Sequence, residues 1–229
     1  MENVLKPYNF EKLATELPKE IPIFPLNSVL LLPRCKLPLN LFENRYLYMF
    51  DYALQKDRYI GMIQPSETVK NNLELKNPQI YPVGCAGKIV AFNQTNDNRY
   101  EIVLHGVCRF KLLNEKINDN GFRIAKVCWK NYLKDLKLDN TSTIKKRTEL
   151  EVKLKAYFKK ININADWHAI EASSDEDLVN SISMGCSFTT AEKQALLEAK
   201  DLKERLSTLC SLLEMSISDN DYSNSQAIS

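Results

Sequence analysis

Histidine is nearly missing from this chain, which has His105 and His168 and no others in 229 residues. Glycine is also sparse, at six positions. No apolar run approaches the length of a membrane span; the best candidate, Val29 to Leu32, stops at Pro33. The opening residues Met1 to Phe10 lack an apolar core of the secretory type. These absences predict a protein of the cytoplasm with no membrane partner. Six cysteines are scattered at 35, 85, 108, 128, 186 and 210, with no C-x-x-C pair. In a reducing compartment they read as free thiols, mostly buried as small hydrophobes. Neither histidine lies near two cysteines, so no metal site is expected.

A phosphate loop is missing too. Gly84-Cys85-Ala86-Gly87-Lys88-Ile89 has its glycines too close together and no hydroxyl residue after the lysine. The same run resembles the GxxG clamp of KH domains. That clamp joins two helices, whereas Val83 and Ile89-Val90-Ala91-Phe92 read as strand. A bulge or close backbone approach is the expectation here. No G-x-S-x-G elbow accompanies the histidines, and both read as structural. Asp175-Glu176-Asp177 sits where acids favour the positive end of a helix, which accounts for it without catalysis. No catalytic residue and no cofactor is expected.

What is present is an ordinary globular balance. Hydrophobic residues make up 44%, charged residues 26%, and the net charge is +2. That charge is too mild for a dedicated polyanion binder. Lys145 to Lys160 is rich in basic residues, but Glu149 and Glu151 are interleaved, which suits a solvated helix face.

The order of elements follows from periodicity. Residues 1–20 are polar, with a short helix predicted around Phe10 to Glu16. Ile21 to Leu26 and Val29 to Leu32 are apolar runs punctuated by prolines, read as short strands or extended segments. Tyr46, Met49, Phe50, Ala53 and Leu54 recur at helical spacing within Glu43 to Lys56. Tyr59 to Ile63 reads as strand and residues 66–80 as a polar loop.

Lys88 to Asn93, Arg99 to His105, Val107 to Leu113 and Phe122 to Trp129 are strand candidates, with Asn96-Asp97-Asn98 as a hairpin turn. Cys108, Phe110 and Leu112 alternate with Arg109 and Lys111, which suits an antiparallel sheet with one polar face. Trp129 alternates with Val127 and is expected to face the core.

Residues 131–142 read as a polar connection. Beyond it Leu150, Leu154, Tyr157 and Ile161 share a helix face. Ser173 to Glu176 and Thr189 to Glu192 are capping boxes. Leu202, Leu206, Leu209 and Leu213 form a last stripe. Residues 216–229 are polar and expected to fray.

Strands first and helices after argue for an α+β class. The expected division is a polar segment 1–20, a β-rich domain 21–130, a connection 131–142, a helical domain 143–215 and a tail 216–229.

Particular stretches go further. Ile21-Pro22-Ile23-Phe24-Pro25-Leu26 and Leu37-Pro38-Leu39-Asn40-Leu41-Phe42-Glu43-Asn44-Arg45-Tyr46 resemble the opening of a Lon N-terminal domain. Ile60-Gly61-Met62, Val83 to Gly87 and Gly106 to Phe110 resemble its later strands. Trp167 to Ala172 and Ala191 to Glu198 resemble the helical half, most closely in short stand-alone bacterial proteins of the family. The resemblance covers about residues 20–215. The chain departs from the family where glycine is common, at Asn27-Ser28 and at Arg34. It departs again at Asn40, where histidine is common, and at Asn44, where proline is.

The resemblance implies a PUA-like β pseudo-barrel with an inserted helix, followed by an α-helical bundle. It also implies that the ATPase and protease modules of a full Lon are absent. By analogy the chain holds polypeptide segments or a partner protein, with a Lon-type protease as one such partner. It would work as a non-catalytic adaptor linked to proteolysis. Phe42, Glu43 and Arg45, at the start of the inserted helix, are the candidate contact residues. An RNA-binding PUA-like module is the alternative, motivated by the basic segment and Gly84 to Lys88. A small-molecule enzyme with a site between the halves is a third possibility, for which no catalytic group can be named.

Overall fold

The computed structural model describes residues 17–66, 78–97, 99–137 and 147–218. The helix expected near Phe10, most of the 66–80 loop, Asn98 of the hairpin turn, Lys145 and Lys146, and most of the polar tail lie outside these residues.

Six strands form one mixed sheet. They are β1 (Glu20–Pro25), β2 (Lys36–Leu41), β3 (Tyr59–Ile63), β4 (Val83–Gln94), β5 (Tyr100–Ile117) and β6 (Arg123–Cys128). The order is β2-β5-β4-β3-β1-β6, and β6 pairs again with β5. That second pairing curls the sheet into a partial barrel. Only β1 and β3 are parallel; the long crossover between them carries α1 (Asn44–Leu54). Five more helices follow: α2 (Arg147–Lys160), α3 (Trp167–Ala172), α4 (Asp175–Gly185), α5 (Thr190–Glu198) and α6 (Leu202–Ser218). This is the expected α+β class. No described helix is long and apolar enough to cross a membrane.

The stripe read for α1 is the buried one: Tyr46, Met49, Phe50 and Ala53 all face inward. In α2, Leu150, Leu154 and Tyr157 are buried. One apolar core runs through both halves, joining Met62, Cys85 and Leu104 of the sheet to Leu178, Leu196 and Leu209 of the helices. A smaller core of Ile21, Ile23, Ala86, Cys108, Phe110 and Ala125 fills the barrel.

Several local expectations need correction. Tyr100 to His105 and Val107 to Leu113 belong to a single strand, β5, which continues through Gly106 with a register shift against β4 at that point. Val29 to Leu32 has no strand pairing; Leu30, Leu31 and Leu32 are buried as an extended plug. The connection begins with a 3-10 helix, Lys130–Leu136, whose Asp135 is buried. The cap of α4 is Ser174, not Ser173: its hydroxyl accepts from the Asp177 amide. Glu176, freed from the capping role, pairs with Arg34 instead. The box Thr189–Glu192 forms as read, with both reciprocal bonds. Trp129 is half-buried; it packs edge-on to Phe110 and donates from Nε1 to the Pro18 carbonyl at 3.0 Å.

The two departures from the family's glycines fall on left-handed backbone. Ser28 has φ 57° and Arg34 has φ 68°. Glycine adopts this region without penalty, whereas another residue carries about 1–2 kcal/mol of strain. Contacts to the helical half hold both. Lys193 Nζ donates to the Ser28 carbonyl at 2.8 Å, and the Arg34 guanidinium donates to Glu176 and to the Asp135 carbonyl.

None of the six cysteines is paired in a disulfide. Burial pushes Cys35 up to about 11, and it raises Cys85, Cys108 and Cys186 as well. Only Cys35 and Cys128 are partly exposed. Since the thiolate is the nucleophile, a disulfide reagent at about pH 8 should modify one thiol promptly, and Cys128→Ser should remove that phase. Two prompt thiols would contradict this.

Candidate functional site

The gathering point is the β2 end of the sheet. Strand β2 pairs with β5 on one side and is otherwise the edge. Which backbone groups face outward follows from its neighbour. Gly106 donates to the Cys35 carbonyl at 2.8 Å and accepts from the Arg34 amide at 2.7 Å. In an antiparallel ladder such residues alternate, so Leu37, Leu39 and Leu41 bond to β5. Lys36, Pro38 and Asn40 therefore turn their backbone groups to the open side. Pro38 lacks an N–H, and its place on the free side is where an edge strand tolerates it. Among the described residues no other backbone bond reaches β2.

The side chains around this edge form rows set by the register. Lys36, His105 and Lys88 are aligned across β2, β5 and β4. Pro38, Val103 and Ala91 make the next row, and Asn40, Glu101 and Asn93 the one after. The last two rows line a groove of about 550 Å³. A register shift between Ile89 and Ala91 extrudes Val90, which is 54% exposed. Phe92, 52% exposed, leans edge-on against Phe50 at 5.3 Å. Both are larger apolar surfaces than a solvated strand needs.

The three residues expected from the sequence lie just beyond Leu41. Phe42 is 62% exposed, with the Arg99 guanidinium 5.7 Å from its ring centre. Glu43 is the N-cap of α1 but makes no side-chain cap bond. Its carboxylate instead accepts from Arg45 Nε at 2.9 Å. Arg45 also stacks 4.6 Å over the Tyr46 ring. The structure thus ties Glu43 and Arg45 to each other, and leaves Phe42 as the outward apolar group. Phe92, Val90 and the cationic row lie on other strands and were not grouped with it in the sequence; Phe92, paired with Ile102 and packed on Phe50, lies on the α1 side of the sheet, opposite the row.

Other candidates are accounted for within the fold. Gly84 lies inside β4, where a Cβ would come within 2.6 Å of the Met62 carbonyl oxygen and 2.5 Å of the Phe110 ring. Its glycine serves close packing, as expected. His168 is exposed on α3. Among the described residues no three metal-ligating side chains converge. Along α2, Arg147 is held by Glu151 and Asp175, and Lys153 by Glu149 and Glu214.

An exposed sheet edge with half-exposed apolar side chains near it, backed by helices, is an arrangement that peptide-binding modules use. The fold matches a solved Lon N-terminal domain protein from Xanthomonas campestris with a TM-score of 0.58, at 19% identity, over 85% of this chain and 98% of that one. Residues 20–215 match the ATP-dependent protease La (LON) substrate-binding domain, and the chain belongs to that family. Among curated relatives, the Lon protease of Syntrophus aciditrophicus is 24% identical over 208 residues, covering 86% of this chain and 25% of the relative. That of Cytophaga hutchinsonii is 26% identical over 207 residues, covering 88% and 25%. The chain therefore spans about a quarter of the length of the curated relatives it matches.

Proposed function

We propose that this chain is a non-catalytic module that binds extended or unfolded polypeptide at the β2 edge and on the adjoining surface of Phe42, Val90 and Phe92. The observation that carries the reading is the free side of β2, where Lys36 and Asn40 offer both backbone groups and Pro38 its carbonyl. An added strand would take main-chain bonds there, while its side chains meet the apolar groove. Membership of a substrate-binding family supports a polypeptide as the ligand. The held segments would belong to proteins bound for proteolysis, with a Lon-type protease as the partner. The RNA reading draws little from the fold, since Gly84 to Gly87 are buried in β4 and Arg147 is engaged by acids.

The test is titration of a permanently unfolded, carboxymethylated protein into the wild type and a Phe42→Ala/Phe92→Ala double variant. Two exposed aromatic anchors lost together should weaken binding by about tenfold or more. The urea midpoint should hardly move, because both rings are more than half exposed. Unchanged binding by the double variant would remove this surface from the proposal.

A further inference from the structure

We propose that Pro38 determines the specificity of the β2 edge: it admits an extended segment of another protein and turns away a second copy of this chain. This rests on the reading of β2 as the docking edge. An open edge invites pairing between copies, and charged residues, prolines and bulges are the usual guards. On β2 the exposed residues of this kind are Lys36 and Pro38. Register shows that only the proline opposes self-pairing.

A two-fold axis normal to the sheet would set two β2 strands antiparallel, in an isologous contact. The outward backbone groups belong to Lys36, Pro38 and Asn40. The register that uses all of them places Lys36 against Asn40 of the second copy and Pro38 against its counterpart. Leu37 then falls opposite Leu39, and both are partly buried against the main core. Lys36 meets no like charge there. Its neighbours are Asn40 and, one strand further, Glu101, which lies opposite Asn40 on β5. The side chains therefore suit self-pairing in every row but the central one.

The central row forbids it. Two residues facing each other through their outward backbone groups exchange two N–H···O bonds. Pro38 has no N–H, and its ring stands where the hydrogen would be. Against the same proline of a second copy, both bonds are lost and each ring faces the other's carbonyl. The clash sits at the middle of the pairing, where fraying of the ends cannot relieve it. Sliding by two residues does not escape it: symmetry still brings both rings against carbonyls, of Lys36 or of Asn40, and the ladder shortens.

A strand of another sequence meets one ring only. Its N–H at this place donates to the Pro38 carbonyl, and its other bonds form with Lys36 and Asn40. The residue it sets against Pro38 must carry an N–H, so it is not proline. Val103 and Ala91 continue the same row, which suits an apolar side chain there. The occupant is thus an extended segment with an apolar, non-proline residue at its centre.

The experiment uses two peptides of about twelve residues built around the sequence Lys36–Leu41, one unchanged and one carrying Pro38→Thr. Binding to the wild-type chain is followed by fluorescence anisotropy, with β2 amide shifts recorded in parallel. The threonine peptide should bind about tenfold more tightly, since it makes one more hydrogen bond and removes one ring from the interface. It should also perturb the Lys36 and Asn40 amides.

In the intact chain, Pro38→Thr should self-associate with rising concentration in sedimentation velocity, beyond anything the wild type shows. Its new N–H faces the open side and a β-branched residue suits a strand, so its urea midpoint should not fall. Adding Asn40→Pro, which removes another outward donor, should restore the wild-type profile. Equal binding of the two peptides, with β2 amides perturbed, would overturn the role of Pro38 and leave the docking edge standing. A Pro38→Thr chain that associates no more than wild type would overturn the exclusion of second copies. Absence of any β2 amide shift with either peptide would overturn both the inference and the docking edge.

Discussion

Asp135→Ala should destabilise the protein by about 3–5 kcal/mol, the range for stripping one partner from a buried ion pair. Arg109 and Asp135 are 3% and 7% exposed at their side chains. The guanidinium meets the carboxylate twice, Nε to Oδ2 and Nη2 to Oδ1, each at 2.8 Å. Burial opposes the charge on Arg109, but the hydrogen bonds and charge of Asp135 outweigh it and raise its pKa. The second arm of Arg109 donates to the carbonyls of Leu197 and Ala199 at the end of α5. Alanine at 135 would leave that cation buried against carbonyls and the Tyr132 ring, with no counter-charge. Because the same guanidinium joins β5, the 3-10 helix and α5, the loss should reach both halves. We expect one cooperative urea transition shifted to lower denaturant, with amide exchange accelerated in α5 as well as β5. The double variant Arg109→Met/Asp135→Leu should be less damaged than Asp135→Ala, since it buries no lone charge. A single variant within about 1 kcal/mol of wild type would contradict this account of the junction.

That junction was the least legible part of the fold, and the reason is physical. Alternation along Cys108, Arg109, Phe110, Lys111 and Leu112 puts Arg109 with the polar face. Lys111 is indeed exposed, but Arg109 is 2% exposed. Its partners lie 26 residues away at Asp135 and 88 away at Leu197, and no local period reports them. Asp135 itself sits in a stretch whose composition reads as solvent-exposed linker. By contrast α1 and the Thr189 cap were legible because each is decided within a few residues. The candidate site shows the same split. Phe42, Glu43 and Arg45 are adjacent in the chain and could be named together. Lys36, Lys88 and His105 come from three strands and meet only through register. Residues on either side of Gly106 looked like two strands because glycine ordinarily weakens a strand; here it is present for another reason.

Gly106→Ala should be among the most damaging single changes in the chain. A Cβ at this position would sit 2.0 Å from the Leu32 carbonyl oxygen and 2.9 Å from its carbon. Both are backbone atoms, so no rotamer change can make room. Leu31 closes the other side, with a methyl carbon at 3.3 Å. The plug Leu30 to Leu32 would have to lift from the core in which all three residues are buried. It is anchored to this glycine by the bonds from the Arg34 amide and to the Cys35 carbonyl, so displacement would break those too. Overpacking of this kind costs about 3 kcal/mol or more when the backbone itself must move.

The strain would also spread to β2, which enters the sheet through these bonds. We therefore expect a lower urea midpoint together with faster amide exchange at Leu37 and Leu39, whose amides bond to β5. Ala86→Gly, a change at an equally buried position of β4, serves as the contrast. It deletes one methyl and should cost about 1 kcal/mol through backbone entropy, with β2 protection unaltered. A Gly106→Ala protein with native exchange along β2 would mean that the plug can shift without cost to the edge strand, and that the close approach at Leu32 does not govern the edge.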